Sequence, residues 1–545
     1  MKKFIKILIS TIILCLIGFI YYYNTLPAIN IHSTGFWTFL IVVAILITVF
    51  VGIISAGGLR NTVELNKGPM QLNKAAFKGT FFKICSIITI GLVLVFIVGS
   101  ILSSQIVNAK KYQQLIDINL DRDFKEDIKQ LSYDKIPILD KASASLLGSR
   151  KMGSMVNYIS QFEVAENYTQ INYQNTPVRV TPLEYASLFK WFTNRSKGIP
   201  AYIRINMATQ NAEAVQLEEG MKYSESEHFG RYIYRHLRFS YPTYIFDTIN
   251  FEINDEGTPY WICPVKDYTI GLFGGQTISN VVIVNAITGE DTNYKIEDCP
   301  TWVDRVYSAE LLVSYYDYYG MLKHGYLNTL FGQKDCLVTT EGYNYVALDD
   351  DVWVYTGVTS VVSDESLVGF VLMNQRTAET RYYPITGAKE YSAMSSAEGK
   401  VQHLGYKATF PLLLNISGEP TYFMALKDSA GLVKDYAMVN IAKYTIVAIG
   451  DTVTACEKDY RIQLKENNIN VADTSTLPTA TGVIEKIAEA VVDGNSHYYI
   501  MLQGNDKIFD VNVGEYLPIV KYNVGDMVTF IYAEGTDTNA VVGIK

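Results

Sequence analysis

The sequence predicts a membrane-anchored α+β protein: three N-terminal transmembrane helices, an extracytoplasmic body of antiparallel-sheet modules with flanking helices, and a small C-terminal β-barrel. Three observations lead there. Three apolar runs crowd the first 107 residues of a 545-residue chain. A strand–loop–strand unit between Phe251 and Asp304 recurs further along. The residues after 479 read as five short strands separated by glycine turns. The expected divisions are an anchor over 1–107, a helical juxtamembrane stalk over 108–155, α+β modules over 156–330, a β-rich module over 331–472 and a barrel over 479–545.

Ile5 to Tyr22, Phe36 to Ala56 and Phe81 to Leu102 are almost uninterrupted apolar runs, each long enough to cross ~30 Å of hydrocarbon. No small-residue cleavage site follows the first, because Tyr21, Tyr22 and Tyr23 occupy its exit and read as an interfacial belt. Lys2, Lys3 and Lys6 precede it. The connection from Asn24 to Gly35 has no Lys or Arg, whereas Gly57 to Thr80 carries Arg60, Lys67, Lys74 and Lys78. The positive-inside bias therefore puts the N-terminus in the cytoplasm and everything after about residue 105 outside a plasma membrane. No helix carries an ionisable residue at mid-depth, which favours an anchor over a transport pathway.

The first 107 residues hold eight Lys or Arg against the single acid Glu64, and the whole chain is at −9, so the remainder is near −16. Such a surface repels nucleic-acid phosphates. The expected partners are the membrane and other envelope proteins, with self-association left open. Forty tyrosines suit a sheet-rich body. The six cysteines are scattered without a C-x-x-C pair; Cys15 and Cys85 fall inside the apolar runs, and Cys263, Cys299, Cys336 and Cys456 read as buried thiols, with Cys263 to Cys299 as a conceivable disulfide.

Past the stalk, Thr181 is placed to cap a helix that starts at Pro182 and presents Leu183, Leu188, Phe189 and Phe192. Glu219 to Leu237 reads as helix; its His228 and His236 are eight apart, not the four-residue spacing that brings two imidazoles to one metal. Ala309 to Leu330 reads as a tyrosine-rich helix lying across a sheet. Lys334 to Pro384 reads as several strands with an acidic turn, Asp349-Asp350-Asp351, which lacks the alternating ligands of a calcium loop. Asp364, Glu365, Glu379, Glu390 and Glu398 are the carboxylates available for glycosidase-type chemistry. Ala388 to Lys400 is a small-residue helix with Ser392, Ser395 and Ser396 but no nucleophile elbow.

The recurring unit enters through Gly257-x-Pro259-Tyr260-Trp261 and returns at Gly418-x-Pro420-x-Tyr422. Each copy carries a Lys-Asp pair (Lys266-Asp267, Lys427-Asp428) and closes with Val-Asn (Val284-Asn285, Val439-Asn440). A weaker third copy is read from Gly198, with Pro200 and Tyr202 in register. The central unit, with its exit Val282 to Ala286 followed by Thr288-Gly289-Glu290, resembles a PepSY-type domain, a small extracytoplasmic module. That resemblance implies an envelope binding or peptidase-restraining role and transfers no catalytic residue. The tail, with Gly525-Asp526 before its fourth strand, resembles an OB-fold barrel. Its nine acids against four lysines favour protein contact over nucleic acid.

The function expected is therefore a non-enzymatic envelope binding or scaffold protein, with Gly257, Pro259, Tyr260, Trp261, Gly418, Pro420 and Tyr422 as the interaction surface. No catalytic residue, cofactor or metal is assigned. The alternative is an envelope hydrolase drawing paired carboxylates from the 334–400 region.

Overall fold

The computed structural model describes residues 2–55, 63–64, 71–72, 79–129, 135–348, 350–361, 366–469, 478–492, 495–514, 516–533 and 538–544. Outside these fall Arg60, Lys67, Lys74 and Lys78, the acids Asp349, Asp364 and Glu365, and the linker residues Asp473 to Leu477. The fold is mixed α+β, with several sheets behind an apolar N-terminal region. That region holds helices Lys2–Thr25, Thr34–Ser55 and Thr80–Leu102. Thr34–Ile53 and Thr80–Leu102 are long and apolar enough to cross a membrane, and Thr11–Thr25 is a shorter apolar stretch.

The body is built from one module used four times. Each begins with a helix: Lys141–Gly153, Ile233–Ser240, Ala309–Met321 and Glu390–Lys400. Two short strands follow and pair with the same edge of a long strand; a second strand and a closing strand complete an antiparallel meander. The long strands are Thr176–Tyr185, Pro259–Ile270, Asp351–Ser360 and Glu419–Lys427. Their hairpin partners are Ile199–Asn206, Gly274–Asn285, Gly369–Asn374 and Val433–Asn440.

Two local devices recur in all four. The turn into the long strand needs a left-handed residue, supplied by Asn175, Gly257, Asp350 and Gly418 at φ of 60, 80, 68 and 80°, the residue types that tolerate it. The partner strand ends at Asn206, Asn285, Asn374 and Asn440, each accepting backbone N–H bonds from two or three residues on. An Asx turn of this kind fixes where the strand stops. The copy read from Gly198 is thus out of register: Gly198 precedes the second strand, and the matching entry is Asn175-Thr176-Pro177.

Strand alternation stacks the sheets face to face. Trp261, Cys263 and Val265 point into a core shared with the first module, while Ile262, Val281 and Ile283 point into one shared with Val354, Val358 and Val371 of the third. Trp353, Tyr355 and Phe370 on the third sheet's other face meet Leu414, Tyr422 and Phe423 of the fourth. Sheets buried on both faces explain the long apolar strand runs.

Three local expectations change. Residues 108–155 are not a free stalk: Phe124, Ile128 and Ile136 are buried in the core with the fourth module, Ile118–Asn119 joins the third sheet in parallel, and the helix over 141–153 opens the first module. Thr181 to Leu183 lie in a strand, and the helix begins at Leu188 behind a Ser187 cap. Glu219 lies inside the strand Ala212–Met221, so the α-helix there is only Ile233–Ser240.

The second module grips the helix ends. Its hairpin tip, Gly271 to Gly274, meets the end of the third apolar helix, where the Ser103 hydroxyl accepts bonds from Leu272 N (2.8 Å) and Phe273 N (3.1 Å). Phe273 packs against Trp37 and Phe96. Arg238 donates to the Leu26 carbonyl (2.9 Å) and to the carbonyls of Tyr241, Pro242 and Tyr244. Ile29 N bonds to Pro242 O (2.7 Å). The C-terminal end of the first helix, the N-terminal end of the second and the C-terminal end of the third thus meet at one module.

The last five strands, Thr479–Val492, Asn495–Leu502, Ile508–Asn512, Met527–Ala533 and Asn539–Ile544, form a closed sheet in the order one-two-three-five-four. Ile484, Ile500, Phe509, Val528 and Phe530 fill it.

Candidate functional site

The residues expected to face a partner are mostly interior. Trp261 and Tyr422 are 1% and 0% exposed. The Trp261 indole donates to Tyr223 O (2.9 Å) and the Tyr422 hydroxyl to Ala388 O (3.3 Å). Pro259 is buried, and Tyr260 is half-buried against Trp302. Gly257 and Gly418 serve the hairpin turns. Aromatic residues at strand entries pack between stacked sheets here, so this set makes core rather than contact surface.

The other residues singled out in the sequence are held apart. Glu379 pairs with Arg381 (2.7 Å), Glu398 with Lys407 (2.8 Å), and buried Glu390 accepts from Thr340 Oγ1 and Gly357 N. The Ser396 hydroxyl is spent on the Ser392 carbonyl. In the acidic turn, Asp351 is clamped by Arg376 Nε and Nη2 at 2.6 and 2.8 Å, and Asp350 accepts from Asn172. His228 stacks edge-on to Trp191, and His236 lies 3.4 Å from Asp291. Among the described residues no group of three or more His, Cys, Asp or Glu could hold a metal ion. Cys263, Cys299, Cys336 and Cys456 are free and buried. Cys263 and Cys299 belong to different cores, and burial pushes the Cys299 thiol up to about 12.

Two arrangements not anticipated above emerge instead. The first is a sealed carboxylate pair where the first three modules meet. Glu252, fully buried, accepts Asp304 N (2.9 Å) and Arg305 N (3.0 Å). Asp304, 2% exposed, accepts Asn172 N (2.7 Å) through one oxygen, and its other oxygen has no partner. Burial pushes Glu252 up to about 7. Burial, followed by the charge of Glu252, raises Asp304 well above the carboxylate range. No substrate reaches this pair, so its effect falls on stability.

The second is a cavity of about 210 Å³ between the first, third and fourth modules, lined by Ile138, Asp140, Arg179, Tyr345, Phe410 and Phe423 among others. Arg179 projects from the first module's long strand and is 7% exposed. Its two terminal nitrogens reach only neutral acceptors, Tyr168 O (3.4 Å) and the Gln170 side chain (3.2 Å), and its Nε has no partner. Burial lowers the guanidinium to about 10, still charged at neutral pH. Across the cavity Asp140 is already committed to Lys427 (2.6 Å) and to Ser143 N (2.9 Å). Burial opposes ionisation of Asp140, but those bonds overcome it and hold its carboxyl below the usual range. The cavity therefore presents mixed walls, apolar at Ile138, Leu139, Met207, Phe410, Leu412 and Phe423 and polar at Tyr343, Asn344 and Thr409, with one buried cation that no described carboxylate hydrogen-bonds, an arrangement that an incoming carboxylate would complete. One signal was legible: an Arg inside the buried run Val178 to Val180 is rare unless paired.

No family model matches this chain, and no curated protein matches it. Among solved structures it is similar to a levansucrase from B. megaterium, with 8% identity, 76% of this chain and 97% of that one covered, and a TM-score of 0.19. It is also similar to a Synechocystis apocarotenoid oxygenase, with 7% identity and a TM-score of 0.14, covering 65% of this chain and 60% of that one. The polysaccharide lyase Uly1 matches at 9% identity over 69% and 75%, with a TM-score of 0.16. The chain thus spans about three fifths of the oxygenase.

Proposed function

We propose that this is a membrane-anchored, extracytoplasmic binding or scaffold protein of the cell envelope, non-enzymatic, whose partner docks at the Arg179 cavity. The observation that carries the reading is that buried, anion-less guanidinium in a cavity between modules. The partner feature that fits it is a carboxylate, from a chain end or an acidic side chain, flanked by an apolar group.

The finer topology belongs to the same reading. All three apolar helices cross the membrane, the N-terminus lies in the cytoplasm and the body lies outside. Two features support it: the first helix is 24 residues, about 36 Å long, and the ends of the three helices away from Lys2 and Lys3 meet the second module together. The fourfold helix-plus-meander module, with its Asn exit, supports the PepSY resemblance. The one-two-three-five-four strand order supports the OB-like barrel.

The test is a photo-crosslinking residue at Phe410 in the full chain, in intact membranes, with captured proteins identified by mass spectrometry. The reading expects one envelope protein, lost when Arg179→Met is added. Capture of nothing, or capture indifferent to Arg179, would remove the cavity from the account.

A further inference from the structure

The body carries large apolar side chains beside the helix junction that none of the described residues covers. On the first module's helix Leu188–Asn194, Leu188, Phe189 and Phe192 are 60, 83 and 62% exposed, with Phe229 at 65% beside them. On the third module's helix Tyr326–Leu330 and just after it, Leu327, Leu330 and Phe331 are 70, 56 and 83% exposed. Single exposed apolar residues need no explanation, but clusters of this kind do.

Both clusters are continuous with the membrane-helix junction. Arg235 sits 4.0 Å over the Tyr23 ring and donates to the Phe229 carbonyl (2.8 Å), and Arg231 reaches the carbonyl of Arg195 at the end of the Phe189 helix. On the other side, the helix over 326–330 lies against helix Gln105–Gln113, which starts three residues after Leu102 and exposes Ile106 and Val107. The two clusters belong to the first and third modules, which flank the second, where the helix ends converge.

Charge agrees. In a chain at −9, residues 186–198 hold Lys190, Arg195 and Lys197 and no acid; 319–335 hold Lys323 and Lys334 against Asp335, which pairs with His324 (2.9 Å); 105–113 hold Lys110 and Lys111 and no acid. Apolar side chains rimmed by basic ones are the composition of a surface lying in an anionic lipid interface.

We propose that these two clusters insert into the outer leaflet on either side of the three-helix stem, so that the body rests on an anionic bilayer at three places instead of standing clear of it. This rests on the reading that the helices cross the membrane. The geometry then fixes how far the Arg179 cavity stands from the lipid, which decides the reach required of its partner.

The test uses the full chain, labelled with fluorotryptophan, in nanodiscs of mixed zwitterionic and anionic phospholipid carrying a spin-labelled lipid. Phe189→Trp and Phe331→Trp each add one fluorine signal, and Tyr444→Trp, on a half-exposed turn of the fourth module, is the distant control. Trp37, inside the second apolar helix, reports on the anchor itself. Signals at positions 189 and 331 broadened like that of Trp37, and several-fold more than at position 444, support the proposal. If Trp37 broadens while positions 189 and 331 match position 444, the proposal is overturned and the anchor stands. If Trp37 does not broaden, the anchor reading falls and takes the proposal with it. Signals at 189 and 331 that respond to protein concentration but not to the spin-labelled lipid would mean a second copy covers the clusters, which also overturns it.

Discussion

Asp304→Asn isolates the sealed carboxylate pair. Asp304 accepts one backbone N–H and leaves its second oxygen unpaired beside Glu252. An amide keeps the first bond and turns the orphan oxygen into a donor facing a carboxylate. Glu252 rises from 4.5 to about 7 because burial disfavours its charge. A raised acid pKa means the folded state holds the extra proton between those values. Stability is therefore greatest at the acid end and falls as pH climbs through roughly 4.5 to 7. At about 1.4 kcal/mol per pKa unit, Glu252 alone accounts for a loss of about 3 kcal/mol, which levels off above pH 7. Asp304 titrates with the same sign. Asp304→Asn, which cannot ionise at this position, is expected to gain on the natural chain as pH rises from 5 to 8 by on the order of 1–3 kcal/mol, the cost of a buried uncompensated charge. Urea unfolding of the full chain in nanodiscs, followed by tryptophan fluorescence from pH 5 to 8.5, reads both. A variant destabilised equally at the two pH values, or a natural chain whose stability is flat across the window, would refute the reasoning.

Three further outcomes follow from the junction and the modules. Arg238→Met removes donors from four carbonyls and is expected to cost about 2–3 kcal/mol locally; hydrogen exchange should quicken over 26–33 and 241–246 and stay unchanged in the fourth module. Gly274→Ala would put a methyl 2.2 Å from Ser103 O and 2.4 Å from the Tyr112 hydroxyl, so it should expel the hairpin tip and open residues 104–113 to protease, whereas Gly230→Ala, with nothing within 4 Å, should not. Among the strand-ending asparagines, Asn285→Ala should cost about 1–2 kcal/mol, the worth of its turn bonds; Asn374→Ala should cost more, because its amide also holds Asp351 at 2.8 Å, and equal losses in thermal unfolding would argue against that second role.

Legibility followed period and punctuation. The apolar N-terminal helices were plain from composition, and the strands over 334–384 from their short apolar runs broken by turns. The module was half visible: Gly257 and Gly418 gave two copies because both turns use glycine, while Asn175 and Asp350 perform the same left-handed turn with other residues and hid the remaining two. Reading from the strand ends, where Asn206, Asn285 and Asn374 are each followed three residues on by Thr209, Thr288 and Thr377, would have found the first three copies. Of the site, only Arg179, set between Val178 and Val180, left a trace in the sequence. Trp261 and Tyr422 look like contact aromatics in sequence and are core because sheets stack on both faces. Glu252, Asp304 and Arg179 owe their environments to sheets brought together from segments far apart in the chain.

The most direct measurement is the sidedness of the body. In a chain with all six natural cysteines changed to serine or alanine, single cysteines at Lys2 and Tyr444 are treated with a membrane-impermeant maleimide in intact cells and again after permeabilisation. The account predicts that position 444 reacts in intact cells and position 2 only after permeabilisation. Labelling of position 2 in intact cells, or protection of position 444 until the membrane is opened, would contradict it.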